Sequence, residues 1–343
     1  MLFSLSSSLP LTWMLGLWRP YGLRLSGALL LTLLVACSAQ RQRAMPAVGG
    51  QGVQVVTTIL PITLFTRAVA GPCATVTPLL PPNTGPHDFQ ARPSDLIALR
   101  QARVLVKNGL QLEAFLDTLV SSAGNAQLLV IDASRGVATL ASTKRQGAHG
   151  PTGGEHLSHR ADLGHGDDHG AVNPHIWLDP LRAVQQVNTI RDGLVKADPR
   201  CADGYRRRAA AYTAQLRSLD REIAGQLKPY AGKTFVAYHD YVPYFAQRYG
   251  LKADVLVDLP QMNPSPADLK RVAAAVKQSQ LKALLSEPQQ GQRSFNALAR
   301  DLGVSISVFD PLETGTAKAS IDPATYIRVM RRNVADLIRA FAD

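Results

Sequence analysis

Eight histidines are the residues of this sequence best suited to do chemistry, and they fall into two groups. Three stand apart from one another, each in a short polar stretch: His87, His175 and His239. The other five crowd into one Gly-rich, charged segment: His149, His156, His159, His165 and His169. Because neutral imidazole is a common ligand of divalent metal ions, both groups are candidates for metal binding.

The elements that must position these histidines follow an alternating pattern of strands and helices, which predicts an α/β fold. A run of apolar residues at steps of three and four over residues 203–228 predicts one long amphipathic helix in the middle of the chain. We therefore expect two similar lobes, each with a four-stranded, mostly parallel sheet flanked by helices, joined by this rigid linker helix. The predicted strands are residues 53–57, 75–80, 103–107, 128–131, 234–237, 254–257, 282–286 and 305–309.

Four candidate ligands follow predicted strands. His87 lies in the loop after the second strand, and His239 comes two residues after the fifth. Glu287 and Asp310 come directly after the seventh and eighth. Open parallel sheets bind ligands beyond the carboxyl ends of their strands, so we expect these side chains to face a common cleft. His175 follows no clear strand, so the topology alone does not place it.

Three imidazoles and one carboxylate would form a tetrahedral site that suits Zn²⁺, with Zn–N distances of about 2.0–2.1 Å. The same ligands also suit copper and nickel. Taken singly, a loop histidine is usually a surface residue, and each carboxylate is equally well explained as a helix cap or a solvated loop residue. The prediction therefore depends on the joint pattern.

A zinc-dependent hydrolase is the main alternative from another class of protein, since it would use three histidines and an open water position. Its general base would be Glu287, the one evident candidate. The sequence contains no H-E-x-x-H, G-x-S-x-G or P-loop motif. We therefore expect a binding protein and not an enzyme.

Composition excludes several other classes. At 343 residues with 46% apolar side chains, the chain can fill two cores, whereas 18% charged residues, 26 Gly and 22 Pro exclude a coiled coil. The net charge of +11 is scattered, and aromatic residues make up 6%. A nucleic-acid-binding protein would concentrate its basic residues in one patch, so we expect no nucleic-acid partner.

The amino-terminal segment predicts export. An uncharged apolar run at residues 25–36 follows two arginines, is too short to span a bilayer, and ends in a lipobox-like Leu-Val-Ala-Cys. Residues 1–36 are thus interpreted as a lipoprotein signal peptide, with Cys37 as the lipidated membrane anchor of a periplasmic or extracytoplasmic protein. A secreted protein cut near Ala36 and an uncleaved anchor are the alternatives. The remaining cysteines, Cys73 and Cys201, could form a disulfide in an oxidising compartment.

The predicted organisation after the signal peptide is a flexible tether at residues 37–52, a first lobe at 53–202, the linker helix at 203–228 and a second lobe at 229–343. A histidine-rich insert occupies residues 144–170 of the first lobe. Its glycines keep it from packing into a core, so its imidazoles can bind metal only weakly. We hypothesise that the insert collects or senses zinc; a solvated loop without a transport role is the alternative.

Six motifs, in order along the chain, carry a resemblance to a known family. The motifs are Val55-Val56-Thr57-Thr58-Ile59-Leu60-Pro61, Gly85-Pro86-His87-Asp88-Phe89, Asn173-Pro174-His175-Ile176-Trp177-Leu178-Asp179-Pro180, Tyr238-His239-Asp240, Ser286-Glu287-Pro288-Gln289 and Phe309-Asp310-Pro311-Leu312. With these motifs the sequence resembles the metal-binding solute-binding proteins of ABC importers, and within them the zinc branch of ZnuA type. The resemblance covers about residues 53–342.

The resemblance implies a function and a set of ligands. The metal ligands fall on His87, His175, His239 and, at the fourth place, Asp310, with Glu287 a further candidate. Histidine at the third place is typical of zinc receptors, whereas manganese receptors carry glutamate there. The implied protein is a monomeric receptor that captures Zn²⁺ between its lobes and delivers it to an ABC permease and its ATPase. A manganese or iron receptor is the alternative within the family, and an adhesin role on the same fold stays open.

Overall fold

The structure is a computed structural model and describes residues 52–142, 172–260, 262–288 and 292–342. The predicted signal peptide, Cys37 and nearly all of the tether lie outside the described residues, as does the histidine-rich insert with its five histidines. Their assignments therefore stay predictions.

Eight short parallel strands form two separate four-stranded sheets within the described residues. The first sheet has the order β2-β1-β3-β4 and the second the order β6-β5-β7-β8. Most of the strands are rich in Val, Ile, Leu and Ala, as expected for parallel strands covered by helices on both faces. The strands are β1 Val53–Thr57, β2 Ala74–Pro78, β3 Val104–Lys107, β4 Leu129–Asp132, β5 Thr234–Ala237, β6 Lys252–Val255, β7 Ala283–Ser286 and β8 Ser305–Val308.

This arrangement confirms the predicted fold class of two similar α/β lobes. The largest difference concerns β6, which begins at Lys252 and not at residue 254. It begins earlier because its pairing with β5 already starts at the partners Thr234 and Lys252. An edge strand of polar and apolar residues has little hydrophobic signal by which its first residue can be predicted.

In the described parts of the chain, ten α-helices flank the two sheets, and several begin at a proline, whose missing N–H costs nothing in a first helical turn. None of the helices in the described part of the chain combines the length and the apolar character that crossing a membrane requires. The helices are α1 Leu60–Ala70, α2 Pro93–Gln101, α3 Leu116–Ala123, α4 Pro180–Ala197, α5 Ala202–Leu227, α6 Pro243–Arg248, α7 Pro266–Ser279, α8 Gln292–Leu302, α9 Ala317–Ile321 and α10 Ala324–Ala342.

The linker helix α5 has 26 residues, about 39 Å at 1.5 Å per residue. It begins and ends one residue before the predicted bounds. Its buried face contacts α1 and α4 of the first lobe and α10 of the second, so one apolar core runs through both lobes. The buried face comprises Tyr205, Ala209, Tyr212, Leu216, Leu219, Ile223 and Leu227. A continuous core at the junction favours a stiff connection over a wide hinge.

The structure joins Cys73 and Cys201 in a disulfide, with their Cα atoms 6.2 Å apart. The bond lies at the start of β2 and of α5, so it closes a long loop within the first lobe. Beside it, the guanidinium of Arg208 donates to the carbonyl oxygens of Val69 and Ala70 at 2.8 and 2.7 Å. The pairing therefore stabilises the amino end of the first sheet.

Candidate metal centre

Three histidines and one glutamate converge where the two lobes meet. His87, His175, His239 and Glu313 each bring one potential ligand atom within 4.8 Å of the others. Oε1 of Glu313 lies 2.9 Å from Nε2 of His175, 3.6 Å from Nε2 of His239 and 3.7 Å from Nε2 of His87. All four side chains are at most 7% exposed. Three imidazole nitrogens thus face one buried carboxylate oxygen.

The fold supplies these residues from the carboxyl ends of its strands. His87 lies in the loop after β2, His239 follows β5, and Glu313 lies in the loop after β8. His175 instead immediately precedes a short 3-10 helix, Ile176–Leu178, which leads into α4. The strand argument therefore holds for three of the four residues, and His175 reaches the cleft from the connection that leads into α4.

The loops that carry His87 and Glu313 are joined directly. The backbone N–H of Gly315 donates to the carbonyl oxygen of Pro82 at 2.6 Å. Leu312, just before Glu313, has a left-handed backbone with φ 64°. This turn redirects the chain after β8 and brings Glu313 toward the imidazoles.

An amide holds the ring of His175. Nδ2 of Asn173 donates to the carbonyl of Asp240 at 2.7 Å, which leaves its Oδ1 to face Nδ1 of His175 at 3.0 Å. The hydroxyl of Tyr244 donates to the carbonyl of Asn173 at 2.7 Å. Both ring nitrogens of His175 therefore face oxygens that can only accept, Asn173 on one side and Glu313 on the other. A cation between Nε2 and Glu313 would satisfy this arrangement.

A carboxylate holds the ring of His239. Nδ1 of His239 lies 2.5 Å from Oε1 of Glu287, and because a carboxylate only accepts, the histidine donates. Nε2 of His239 is buried and has no hydrogen-bond partner among the described residues. This second nitrogen therefore faces the position that a metal ion between it and Glu313 would occupy.

The two histidines differ in their electrostatics. Burial lowers the pKa of His175, although Glu313 opposes that shift. Burial would also lower the pKa of His239, but the charges of Glu287 and Glu313 outweigh it and raise the pKa to about 10. Burial acts to raise the pKa of Glu313, but its contacts with the histidines prevail and hold that pKa well below its usual range. Glu313 is therefore ionised and attracts positive charge.

Asp310 does not belong to this group of side chains, in contrast to its predicted place as the fourth ligand. Its Oδ1 accepts from the backbone N–H of Leu312 at 2.8 Å, and its Oδ2 lies 3.6 Å from the guanidinium of Arg332. Burial raises the pKa of Asp310. Asp310 thus shapes the turn that presents Glu313. The other predicted carboxylate, Glu287, contacts Nδ1 of His239 and not Nε2, the nitrogen that faces Glu313.

Sequence reasoning missed Glu313 and gave no role to Asn173. A signal for Glu313 was present, since it is an acidic residue in the short loop that follows the last strand. Asn173 stands in the motif that contains His175, but the sequence does not show that its side chain faces the imidazole. On its solvent-facing side, the group of three histidines and Glu313 opens into a cavity of about 340 Å³. The cavity borders His87 and Glu313 and is lined also by Asp88 and Glu287. A small hydrated cation could reach the imidazoles through it.

Two parallel-sheet lobes on a stiff helix, with a buried histidine cluster at their junction, define a two-lobed metal-binding receptor. The sequence matches the family described as zinc-uptake complex component A, periplasmic (ZnuA), over residues 55–340. The chain therefore belongs to the ZnuA family. This family consists of substrate-binding receptors of zinc uptake systems and not of enzymes, so the hydrolase alternative is not favoured.

Individual relatives agree with the family. The chain is 31% identical over 305 residues to the zinc-binding lipoprotein AdcA of Streptococcus pneumoniae, covering 89% of this chain but 58% of AdcA. The match spans 88% of this chain and 92% of the high-affinity zinc uptake system protein ZnuA of Bacillus subtilis, at 28% identity. The crystal structure of the Zn(II)-bound ZnuA-like domain of Streptococcus pneumoniae AdcA superimposes with a TM-score of 0.68 and 28% identity, covering 85% of this chain and 100% of that domain.

Proposed function

We propose that this protein captures Zn²⁺ in the cleft between its two lobes and delivers it to the permease of an ABC importer. One observation carries the proposal: Nε2 atoms of three histidines face the same buried carboxylate oxygen of Glu313. Membership of a family of zinc uptake receptors supports it.

The donor set favours zinc over manganese. The proposed ligands are His87, His175, His239 and Glu313, which give three imidazole nitrogens and one carboxylate oxygen. This combination suits tetrahedral Zn²⁺, whereas Mn²⁺ and Mg²⁺ favour sites made mostly of oxygen ligands. A manganese or iron receptor would be better served by a second carboxylate in place of His239.

We further propose that the chain works outside the cytoplasm and is held there by a lipid on Cys37. The basic and apolar pattern of residues 1–36 and the lipobox-like ending support export and lipidation. A relative named as a zinc-binding lipoprotein supports the same placement. The disulfide between Cys73 and Cys201 fits an oxidising compartment. The proposed partners are the permease and ATPase of one importer, with the receptor acting as a monomer.

The stiff junction implies how the metal leaves. Because one core runs through α5 and both lobes, we infer that release involves the loops carrying His87 and Glu313 and not a wide opening of the lobes. The hydrogen bond from the backbone N–H of Gly315 to the carbonyl oxygen of Pro82 couples the movements of these two loops.

We also propose that the histidine-rich insert at residues 144–170 collects zinc for the buried ligands. Unchanged uptake at limiting zinc after deletion of residues 145–170 would contradict the role of the insert.

Competition between metals tests the main proposal. The chain from residue 38 onward, with residues 145–170 deleted to remove weak binding, is stripped of metal and offered Zn²⁺ and Mn²⁺ together. We expect one tightly held Zn²⁺ per molecule, and we expect His239→Ala to weaken its binding sharply. Preferential retention of Mn²⁺, or zinc binding that is indifferent to all three histidines, would overturn the proposal.

A further inference from the structure

Glu113 is a buried carboxylate in the first lobe that lies outside the proposed ligand group. It is 5% exposed and accepts three hydrogen bonds. The donors are the hydroxyl of Thr58 at 2.6 Å and the backbone N–H groups of Asn108 and Gly109 at 2.7 and 3.0 Å. A buried carboxylate that accepts from three donors has a structural role that an apolar residue could not fill.

The backbone that Glu113 holds is strained. It forms the turn after β3, in which Gly109, Leu110 and Gln111 all have left-handed backbones with φ 90°, 58° and 63°. Leucine and glutamine rarely adopt this conformation, and such turns persist only where the surroundings fix them. Glu113 supplies that restraint, because it accepts from two successive N–H groups at the start of the turn.

The restrained turn presents the side chain of Asn108 to the segment that carries His175. Asn108 is fully buried, and its Nδ2 donates to the carbonyl of Pro174 at 3.0 Å. Nε2 of Gln186, in α4, donates to Oδ1 of Asn108 at 3.0 Å and so fixes which way the amide points. The carbonyl oxygen of Pro174 thus links the peptide before His175 to the turn after β3 of the first sheet.

Two asparagines therefore hold His175 in complementary ways. Asn173 faces its ring nitrogen, and Asn108 holds the backbone just before it. We propose that Asn108 and Glu113 are positioning residues that set the place of His175 before the metal binds. The inference rests on the proposed zinc-binding function. Its physical basis is that a ligand fixed in advance loses less entropy when the metal arrives.

The test replaces Asn108 by alanine and compares it with Asn125→Ala. Asn125 is a matched control, since its Nδ2 also donates to backbone carbonyls of the first lobe, those of Leu99, Arg100 and Ala102. Among the contacts of the described residues, it makes no hydrogen bond to residues 173–175. Zinc affinity is measured by competition with a chelator, and Co²⁺ is used as a probe, because its visible spectrum reports the geometry of its ligands. Thermal unfolding of the metal-free proteins measures the structural cost.

We expect Asn108→Ala to weaken zinc binding by about 10–100-fold and to alter the Co²⁺ spectrum, as removal of a residue that orients a metal ligand does. Asn125→Ala should lower the unfolding temperature while leaving affinity and spectrum unchanged. Glu113→Gln is the second variant, for the case that Asn108→Ala does not fold. Glutamine keeps the shape of the side chain but turns its NH₂ group toward one backbone N–H, so one hydrogen bond is lost. The zinc affinity should therefore fall by less than in Asn108→Ala.

Equal zinc affinity and equal Co²⁺ spectra in Asn108→Ala, Glu113→Gln and Asn125→Ala would overturn the inference, whatever their unfolding temperatures. Failure of the unaltered protein to bind one Zn²⁺ would instead overturn the proposed function, so the two failures are distinguishable.

Discussion

The two lobes share one sheet order but contribute different groups to the proposed metal centre. The first lobe supplies His87 and His175, and it holds His175 with the neutral amides of Asn173 and Asn108. The second lobe supplies His239 and Glu313 and surrounds them with carboxylates. Glu287 contacts His239, and Asp310 shapes the turn before Glu313.

This difference separates two properties of the cleft, the position of the imidazole rings and the net charge around them. Neutral amides fix where a ring lies without changing the net charge of the cleft, whereas buried carboxylates create a demand for positive charge. The contrast between a lowered pKa at His175 and a raised pKa at His239 has the same origin. We infer that the first lobe mainly sets the position of His175, through an asparagine that the second lobe also holds, whereas the second lobe provides the attraction for a divalent cation.

The lobes also differ in their covalent structure, and removing that difference should have the largest effect. All cysteines after Cys37 lie before the linker helix, so the second lobe has none. Changing Cys73 and Cys201 to serine frees a loop with a sequence separation of 128. The expected loss of unfolding free energy is about 3–5 kcal/mol, measured by urea denaturation of the metal-free protein.

The zinc affinity of this double variant should stay within about twofold, because distant sites act independently. The disulfide lies at the amino end of β2, opposite the edge that carries the ligands. A large fall in affinity would show that the covalent link also shapes the metal centre, and the contrast between the lobes would then need revision.

Among the carboxylates of the second lobe, Glu313 should have the largest effect on metal binding when it is changed to glutamine. Structural zinc sites with four ligands bind with about 10–16 kcal/mol, so one ligand contributes roughly 3 kcal/mol, or about a hundredfold in affinity. Chelator competition measures the change. Affinity close to that of the unaltered protein would remove Glu313 from the proposed ligands.

Glu287→Gln tests the charge that the second lobe contributes, because glutamine keeps the shape and an oxygen that can accept from Nδ1 of His239. Loss of the charge weakens the basicity of the imidazole, and we expect zinc affinity to fall by about 10–100-fold. If titration calorimetry finds no fall in affinity, geometry alone matters at this histidine, and the two lobes are more alike than proposed.

Asp310→Asn should have the smallest effect. Asparagine retains the oxygen that accepts from Leu312, and the change removes an ion pair with the exposed Arg332, a type of pair that contributes about 0–1 kcal/mol. Zinc affinity should therefore change by no more than about fivefold. A hundredfold loss in the same competition assay would restore Asp310 as a ligand.

Much of the fold could be predicted because its signals are local. Runs of Val, Leu and Ile mark most of the strands, and apolar steps of three and four mark α5. Strand ends then place His87 and His239 at the cleft. His175 is different, since it follows no strand and reaches the cleft through contacts made far along the chain, with Asp240 and Tyr244 acting through Asn173.

The sequence by itself determined the two α/β lobes, the linker helix and the three isolated histidines, because these follow from periodicity and residue type. Only the tertiary structure shows which of Asp310 and Glu313, three residues apart in one loop, lies beside the three histidines. The position of Glu313 depends on the left-handed turn at Leu312 and on the hydrogen bond from Gly315 to Pro82 in the other lobe. Neither can be read from local pattern, because leucine rarely adopts a left-handed backbone and the contact between Gly315 and Pro82 exists only once the two lobes have packed together.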